Sequence, residues 1–274
     1  MEAVPKRPLD RHVHGSQHTQ TTFQAHPRVA EGAGMTTAGK APGLAQANLI
    51  AIPKDWAYDF LLFTHRNPKP CPVLDVLDAG ETVSALKPDA DVRTHAPRYR
   101  IWEHGELVAE PENATEHWRD DLVTFLIGCS FTFETALTNA GVPLRHVEQG
   151  RNVAMFVTDI QCRPAGRLHG PMVVSMRWVP ESLVDIAHKV TALMPSVHGA
   201  PVGAGDPKML GIDDVHAPDF GDAVEPEPGD VPMFWACGVT PQAVLMKSKP
   251  PFAITHAPGQ MFVTDMPDFA YRVG

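Results

Sequence analysis

The 274-residue chain is poor in cysteine and lacks long apolar runs. Its four cysteines, Cys71, Cys129, Cys162 and Cys237, form no C-x-x-C pair and no spacing typical of a disulfide framework, which indicates a reducing compartment. No stretch is long enough to cross a bilayer, and the start of the chain lacks the apolar segment of a signal peptide. We therefore expect a soluble, cytoplasmic protein without a membrane partner.

Positive charge is also scarce, because 23 lysines and arginines face 32 acidic residues, for a net charge of −9. A nucleic-acid partner is not expected, since phosphate binding needs a basic surface. A small anionic substrate remains compatible with this balance, because a few local arginines can outweigh the global field. The chain has no G-x-G-x-x-G, Walker, G-x-S-x-G or H-E-x-x-H motif, which argues against four well-known enzyme classes.

Apolar residues make up 43% of the chain, enough for one large or two smaller cores, and 27 prolines predict short helices between ordered loops. The apolar spacing predicts helices at about residues 55–65, 117–127, 132–140, 183–193 and 242–247, and strands at 99–102, 172–176, 232–236, 252–255 and 261–264. The strand–helix–strand order of residues 232–264 predicts a parallel βαβ unit.

Six loop segments combine a polar or titratable residue with glycine or proline, a composition that suits a preorganised site at strand ends. They are residues 167–171, 198–201, 205–207, 219–222, 237–242 and 255–259. His198 and His256 are the acid–base candidates, because histidine titrates near neutral pH. His169 and Asp206 are further catalytic candidates, and we expect these four side chains to line one pocket with Cys237.

Carboxylate recognition is predicted for the arginines Arg151, Arg167 and Arg177, whose guanidinium groups can bind a carboxylate in bidentate fashion. The segment Cys237, Gly238, Thr240 and Gln242 opens a predicted helix, so the N–H groups of residues 239–242 are candidates for an anion cradle. Cys237 itself is either a nucleophile activated by the helix dipole or a small buried hydrophobe, and we favour the second interpretation.

Asp206, Asp219 and Asp222 are open to two interpretations. They can orient a histidine or hold a divalent cation through oxygen. They can equally cap turns in the loop. No cofactor is certain, and a divalent metal, with Asp219 and Asp222 as ligands, remains a hypothesis.

Several strings resemble the D-glutamate cyclase family, a family of hydro-lyases. They are APGLAQANL at 41–49, PKDWAYDF at 53–60, RNPKPCP at 66–72, FLIGCSF at 125–131 and EQGRNV at 148–153. With the six loops, the resemblance spans about residues 34–268. It implies a lyase that eliminates water from a small amino or hydroxy acid, and the best-described family reaction closes D-glutamate to 5-oxo-D-proline.

The resemblance also implies an α/β fold, with a layered α/β domain containing a mixed sheet plus a smaller α+β lobe and the site between them. We expect a disordered tail at residues 1–33, the layered domain at 34–141 plus 236–274, and the smaller lobe at 142–235. The expected partner is a small carboxylic acid, and a homo-oligomer is compatible with the sequence.

Two departures from the family pattern bear on activity, because the family has histidine where this chain has Gly203 and Gln260. If those histidines serve chemistry, the protein turns over D-glutamate slowly and binds metal weakly. Two alternative functions therefore stay open: a non-catalytic carboxylate-binding protein and a metal-dependent hydrolase that opens a lactam.

Overall fold

Three antiparallel sheets, of seven, four and two strands, and five α-helices build the part of the chain that the structure describes. The computed structural model describes residues 36–274, which all belong to one compact unit. The predicted tail of residues 1–33 lies outside the described residues. Helices are combined with antiparallel sheets in this unit, which confirms the α/β class.

The strands are β1 Leu44–Pro53, β2 Val73–Leu77, β3 Val83–Ser84, β4 Lys87–Asp91, β5 Tyr99–Glu103, β6 Glu106–Ala109, β7 Leu122–Gly128, β8 Ala154–Gln161, β9 Pro171–Pro180, β10 Gly203–Ala204, β11 Asp230–Ala236, β12 Ala253–His256 and β13 Phe262–Pro267. The α-helices are α1 Lys54–Arg66, α2 Glu134–Asn139, α3 Arg145–Glu148, α4 Val184–Ala192 and α5 Thr240–Ser248. Short 3-10 helices include Ser130–Phe133, Pro195–Val197 and Pro207–Leu210.

The larger sheet has seven strands in the order β2-β7-β1-β12-β5-β6, with β13 also paired to β1. The smaller sheet has the order β10-β11-β9-β8, and β3 pairs with β4. Every strand pair within residues 36–274 is antiparallel, so the expected mixed sheet is antiparallel here. The predicted parallel βαβ unit is therefore wrong: β11 and β12, although joined through α5, belong to different sheets.

The predicted helix at residues 117–127 is also wrong, because this segment forms β7, near the centre of the larger sheet. Six of its seven residues are buried. A strand covered on both faces is apolar at nearly every position, so its spacing can match a helical stripe by chance. The pairing of β7 with β1 and β2 supplies the hydrogen bonds that decide the conformation.

The larger and the smaller sheet pack their apolar faces around a shared cluster of buried side chains. Ile50 and Phe125 of the larger sheet share one cluster with Val174 and Phe234 of the smaller sheet. The opposite face of the smaller sheet packs against α2 and α4 through Trp235 and its neighbours. The strands of the smaller sheet lie within the range predicted for the smaller lobe, residues 142–235, except that β11 ends one residue beyond it. The division of the chain into two lobes stays a prediction.

Two further findings concern the helices and the cysteines. Across residues 36–274, none of the helices combines the length and apolarity that a membrane crossing requires. All four cysteines are buried free thiols.

Candidate functional site

A buried polar cluster lies where β9 of the smaller sheet faces the start of α2. Its members are Ser130, Glu134, His146, Ser175 and Arg177, each buried. Ser175 and Arg177 are two residues apart on β9, so they point to the same face of the sheet. Charged side chains are almost never buried without partners, and in this cluster Arg177 and Glu134 pair with each other.

Arg177 donates hydrogen bonds to the side chains of three residues. Its Nη2 lies 2.5 Å from Glu134 Oε1 and 3.0 Å from Ser130 Oγ, and its Nε lies 3.2 Å from Glu134 Oε1. Its Nη1 donates to Ser175 Oγ at 3.2 Å. The guanidinium also lies over the ring of Phe133, 5.1 Å from its centroid. The orientation of Arg177 is therefore determined by the fold.

Glu134 uses its two oxygen atoms unequally. Oε1 receives Arg177 and also lies 3.0 Å from His146 Nε2, whereas Oε2 is buried and has no hydrogen-bond partner among the described residues. Burial alone would raise the pKa of Glu134, but His146 and Arg177 together outweigh it and hold the pKa below its usual value. Glu134 is therefore a carboxylate at neutral pH.

His198 lies beside the end of β7. Its side chain is 1% exposed, and its Nδ1 lies 2.8 Å from the carbonyl oxygen of Lys69. Burial lowers the pKa of His198 to about 4, opposed by backbone hydrogen bonds at Lys69 and Gly128, and the charges of Lys69 and Arg177 lower it further. A Cβ at Gly128 would lie 3.2 Å from the Cα of Val197, the residue before His198, and Ser130 of the buried polar cluster follows Gly128 by two residues.

Asn48 of β1 binds the same residue, Gly128, whose backbone lies next to His198. The Nδ2 of Asn48 donates to the carbonyl oxygen of Gly128 at 2.9 Å, and the next residue, Leu49, donates its N–H to His256 Nδ1 at 3.1 Å. The predicted pair His198 and His256 thus lies at the same end of the central strands, one on each side of β1.

His256 is buried, and its Nδ1 has two possible backbone partners. It lies 3.1 Å from the Leu49 nitrogen, from which it accepts when the ring proton is on Nε2, and 3.2 Å from the Leu49 carbonyl oxygen, to which it donates when the proton is on Nδ1. Nε2 is buried and has no partner among the described residues. Burial lowers the pKa of His256 to about 4, partly opposed by the Leu49 backbone and reinforced by the charge of Arg100. In the tautomer that carries the proton on Nε2, the ring can donate Nε2–H to an oxygen atom.

The start of α5 differs from the predicted anion cradle. The N–H of Thr240 donates to the Cys237 carbonyl at 3.0 Å and that of Gln242 to the Val239 carbonyl at 2.9 Å, while Pro241 has none. Thr240 Oγ1 receives the Val173 N–H at 3.0 Å, which attaches α5 to β9. The N–H groups of Thr240 and Gln242 thus serve the turn, so the anion cradle stays a prediction that rests on the remaining N–H of Val239.

Gly238 and Gln242 have other roles at the same end of the sheet. A side chain at Gly238 would overlap the amide of Asn48, so glycine permits this close approach. Gln242 Nε2 donates to the His256 carbonyl at 2.9 Å, and its Oε1 is buried without a partner among the described residues. Gln242 therefore supports the backbone of His256.

Cys237 is buried next to this region. Burial raises the pKa of its thiol to about 11, although the Val239 backbone and the charge of Arg177 act in the opposite direction. A thiol with this pKa is protonated at neutral pH, which favours the small hydrophobe over the nucleophile.

Four predicted site residues lie outside this arrangement. His169 is exposed, and its N–H donates to Ser248 Oγ at 2.9 Å, at the far end of α5 from Cys237. Arg167 is exposed and pairs with Asp59 at 2.8 Å. Asp206 is exposed and caps a 3-10 helix by accepting the Lys208 N–H at 3.0 Å. Arg151, which is partly buried, donates to the carbonyl of Ala223. His169 and Asp206 therefore do not take part in the single pocket that we expected them to form with His198, His256 and Cys237.

The two candidate metal ligands accept hydrogen bonds from backbone N–H groups. Asp219 accepts the Val157 N–H at 2.7 Å, and Asp222 accepts the Asn152 N–H at 2.8 Å. In the described part of the chain, no group of three His, Cys, Asp or Glu side chains is arranged to hold a metal ion. Both aspartates thus match the loop-stabilising interpretation.

The two departures from the family pattern occupy different environments. Gly203 pairs with Phe234 on β10, and a Cβ there would meet Leu210 at 3.6 Å. Gln260 lies in the turn after His256, where its N–H donates to the Ala257 carbonyl at 3.0 Å and its Oε1 is buried without a partner among the described residues. A histidine at 203 would therefore face an apolar neighbour, whereas one at 260 would enter a polar region.

The sequence contained signals for two of the site residues that motif analysis missed. Glu134 shares the buried face of its helix with Leu137, and a charged residue on an apolar face signals a buried partner. Ser175 interrupts an apolar run on β9. His146 had no comparable signal, because its contact with Glu134 depends on the placement of α3.

Comparison with known proteins gives a consistent family. The family model described as D-glutamate cyclase matches residues 123–265. Three relatives carry the name "Putative hydro-lyase": one from Streptomyces avermitilis, 63% identical over 98% of both chains; one from Rhodococcus opacus, 66% identical over 86% of this chain and 90% of its own; and one from Corynebacterium glutamicum, 57% identical over 94% and 99%. A solved nitrogen repressor-like protein from Methanococcus jannaschii covers 79% of this chain and 86% of its own at a TM-score of 0.37 and 11% identity, too remote to bear on function.

Proposed function

Because the chain belongs to the D-glutamate cyclase family, whose membership supports a lyase-like function, we propose that it removes water from a small amino or hydroxy acid. The first substrate to consider is D-glutamate, which would close to 5-oxo-D-proline. The observation that carries the proposal is the buried Arg177, oriented by Glu134, Ser130 and Ser175 at the same end of the strands as His198 and His256.

The chemistry of ring closure defines what the site has to supply. The amine nitrogen attacks the side-chain carboxyl carbon, so a C–N bond forms and a C–O bond breaks. Two protons of the ammonium group leave with the carboxylate oxygen as water, so the overall reaction is proton-neutral. The site must therefore hold the acid in register, offset negative charge on the carboxyl group and assist proton movement.

The polar groups described above match these needs. The guanidinium of Arg177 would bind a carboxylate together with a hydroxyl of Ser130 or Ser175, because both accept from Arg177 and, with one donating to the other, one O–H is left to donate. The Nε2–H of His256 would donate to an oxygen of the reacting carboxyl group. His198 would hold the end of β7 in place for Asn48 and Gly128.

The test is incubation of the purified protein with D- and L-glutamate, with chromatographic detection of 5-oxoproline, in the wild type and in two arginine variants. Arg177→Lys should lower turnover by about 100-fold or more, because lysine cannot reproduce the planar set of donors. Arg167→Lys is the matched control, since Arg167 is exposed and pairs with Asp59. It should keep the wild-type rate.

Two further measurements separate the alternatives. Calorimetric binding of D-glutamate without any product would support a non-catalytic carboxylate-binding protein, and opening of added 5-oxoproline that a chelator abolishes would support the hydrolase. Ser130→Ala repeats the test with a smaller change, in case Arg177→Lys does not fold. Equal rates in wild type and in folded Arg177→Lys and Ser130→Ala variants would contradict the assignment of the site.

A further inference from the structure

Glu134 keeps one oxygen atom that the Arg177 contacts do not use. Its Oε1 accepts from Arg177 and lies 3.0 Å from His146 Nε2, but Oε2 and His146 Nε2 are both buried without a hydrogen bond within residues 36–274. The residue as a whole is 4% exposed. A carboxylate that crowds its donors onto one oxygen and leaves the other bare is an unusual arrangement for a buried charge.

The bare oxygen is costly unless something binds it. Leaving a buried acceptor without a partner costs about 1 to 3 kcal/mol, and more when the acceptor is charged. The carboxylate stays ionised, because His146 and Arg177 lower its pKa against the effect of burial. A hydrogen-bond donor at Oε2 would therefore be stabilising, and a positively charged donor would be the most favourable.

The neighbours of this oxygen offer the complementary chemistry. Arg177, which is bonded to Oε1 of the same carboxylate, uses four of its five N–H groups in hydrogen bonds to Glu134, Ser130 and Ser175. The hydroxyl oxygens of Ser130 and Ser175 lie 3.5 Å apart and share a hydrogen bond, so one of the two hydroxyls keeps its O–H to donate to an anion. An anion-binding group and a cation-accepting oxygen are thus side by side, as the ammonium and carboxylate groups are on one carbon of an amino acid.

We propose that Glu134 Oε2 binds the amino group of the substrate, so that the site selects amino acids over hydroxy acids of the same shape. This inference rests on the proposed function, because it concerns the same site. Glu134 acts here in recognition, and Arg177 binds the carboxylate beside it. An ammonium group brings a positive charge to the carboxylate, whereas a hydroxyl brings only a neutral donor.

The test compares binding of D-glutamate, 2-hydroxyglutarate and glutarate by calorimetry, in the wild type, Glu134→Gln and Glu148→Gln. The wild type should bind D-glutamate about tenfold or more tightly than either analogue. Glu134→Gln should lose about 10- to 100-fold in affinity for D-glutamate, the range expected for a charge-assisted hydrogen bond. It should bind 2-hydroxyglutarate within about threefold of the wild type. Glu148→Gln is the control, because Glu148 is an exposed partner of Arg145 and should change none of the affinities.

The outcomes separate recognition from support of Arg177. A Glu134 that only orients Arg177 would lower the affinity for all three acids equally, and this result would overturn the inference. A water molecule resting on Oε2 would give a wild type that binds D-glutamate and 2-hydroxyglutarate alike, which would also overturn it. The wild-type comparison needs no variant, so it decides the matter even if Glu134→Gln does not fold. Selective binding without turnover would support the inference while the proposed function fails.

Discussion

Acid should destabilise this protein through its two buried histidines well before its carboxylates titrate. Burial lowers the pKa of both His198 and His256 to about 4, while the unfolded value is near 6.5. Between these two values the unfolded chain binds a proton at each position and the folded chain does not. Stability is therefore fully present above about pH 6.5 and falls as the pH drops towards 4.

The size of the effect follows from the two pKa values. A shift of about 2.5 units corresponds to about 3 kcal/mol for each histidine at full protonation of the unfolded chain. Between pH 7 and pH 5 the expected loss is about 2 kcal/mol for each, or about 4 kcal/mol for both. Since a native domain is stable by roughly 5 to 15 kcal/mol, this is a large part of the total.

The assay is urea unfolding followed by circular dichroism at half-unit steps from pH 7 to pH 5, with His198→Asn, His256→Asn and His188→Asn. Asparagine can place an oxygen near the position of His256 Nδ1, and it tolerates the positive φ of 82° at His198. Each of the first two variants should lose about half of the pH dependence. His188 is exposed on α4, so its variant should follow the wild type. Identical pH slopes in all four proteins would refute the reasoning.

Three other predictions concern residues around the site. Cys237→Ser should fold and keep at least about half of the wild-type turnover, because a buried thiol with a raised pKa is not a nucleophile; complete loss of activity in the folded variant would reverse this view. Gly238→Ala should lower the free energy of unfolding by about 2 kcal/mol or more, measured in urea, because its Cβ would overlap the amide of Asn48; an unchanged midpoint would contradict that packing. Gln260→His should change turnover of D-glutamate at least about tenfold, equivalent to about 1.4 kcal/mol, and Gly203→His should not, because only position 260 lies in the polar turn after His256; equal responses at both positions would count against this distinction.

Local pattern predicted four of the five α-helices and five of the thirteen strands in residues 36–274, but not the pairing of the strands. The apolar spacing of residues 55–65 and 183–193 predicts α1 and α4 closely, because both helices present one apolar face and end at or near a proline. The strand–helix–strand order of residues 232–264 led instead to a parallel unit. Strand order carries no information about which sheet a strand joins, and here α5 carries the chain from one sheet to the other.

The candidate site was predictable by residue type and only partly by position. His198 and His256 were found from their loop composition, and the structure brings them to one end of the central strands. Of three equivalent arginines, only Arg177 is buried with charged and hydroxyl partners. The sequence could not choose among them, because the choice depends on the alternation of β9 and on the placement of α2.

The sequence by itself determined the α/β class and membership of the D-glutamate cyclase family, since both rest on local composition and motifs that are visible along the chain. Only the tertiary structure decided that residues 122–128 form a central strand, because long-range pairing with β1 supplies the backbone hydrogen bonds. It also decided that His256 Nε2 and Glu134 Oε2 are buried without a hydrogen-bond partner among the described residues. Both environments depend on residues more than 40 positions away, Leu49 for His256 and Arg177 for Glu134, and burial removes the water that would otherwise satisfy these atoms.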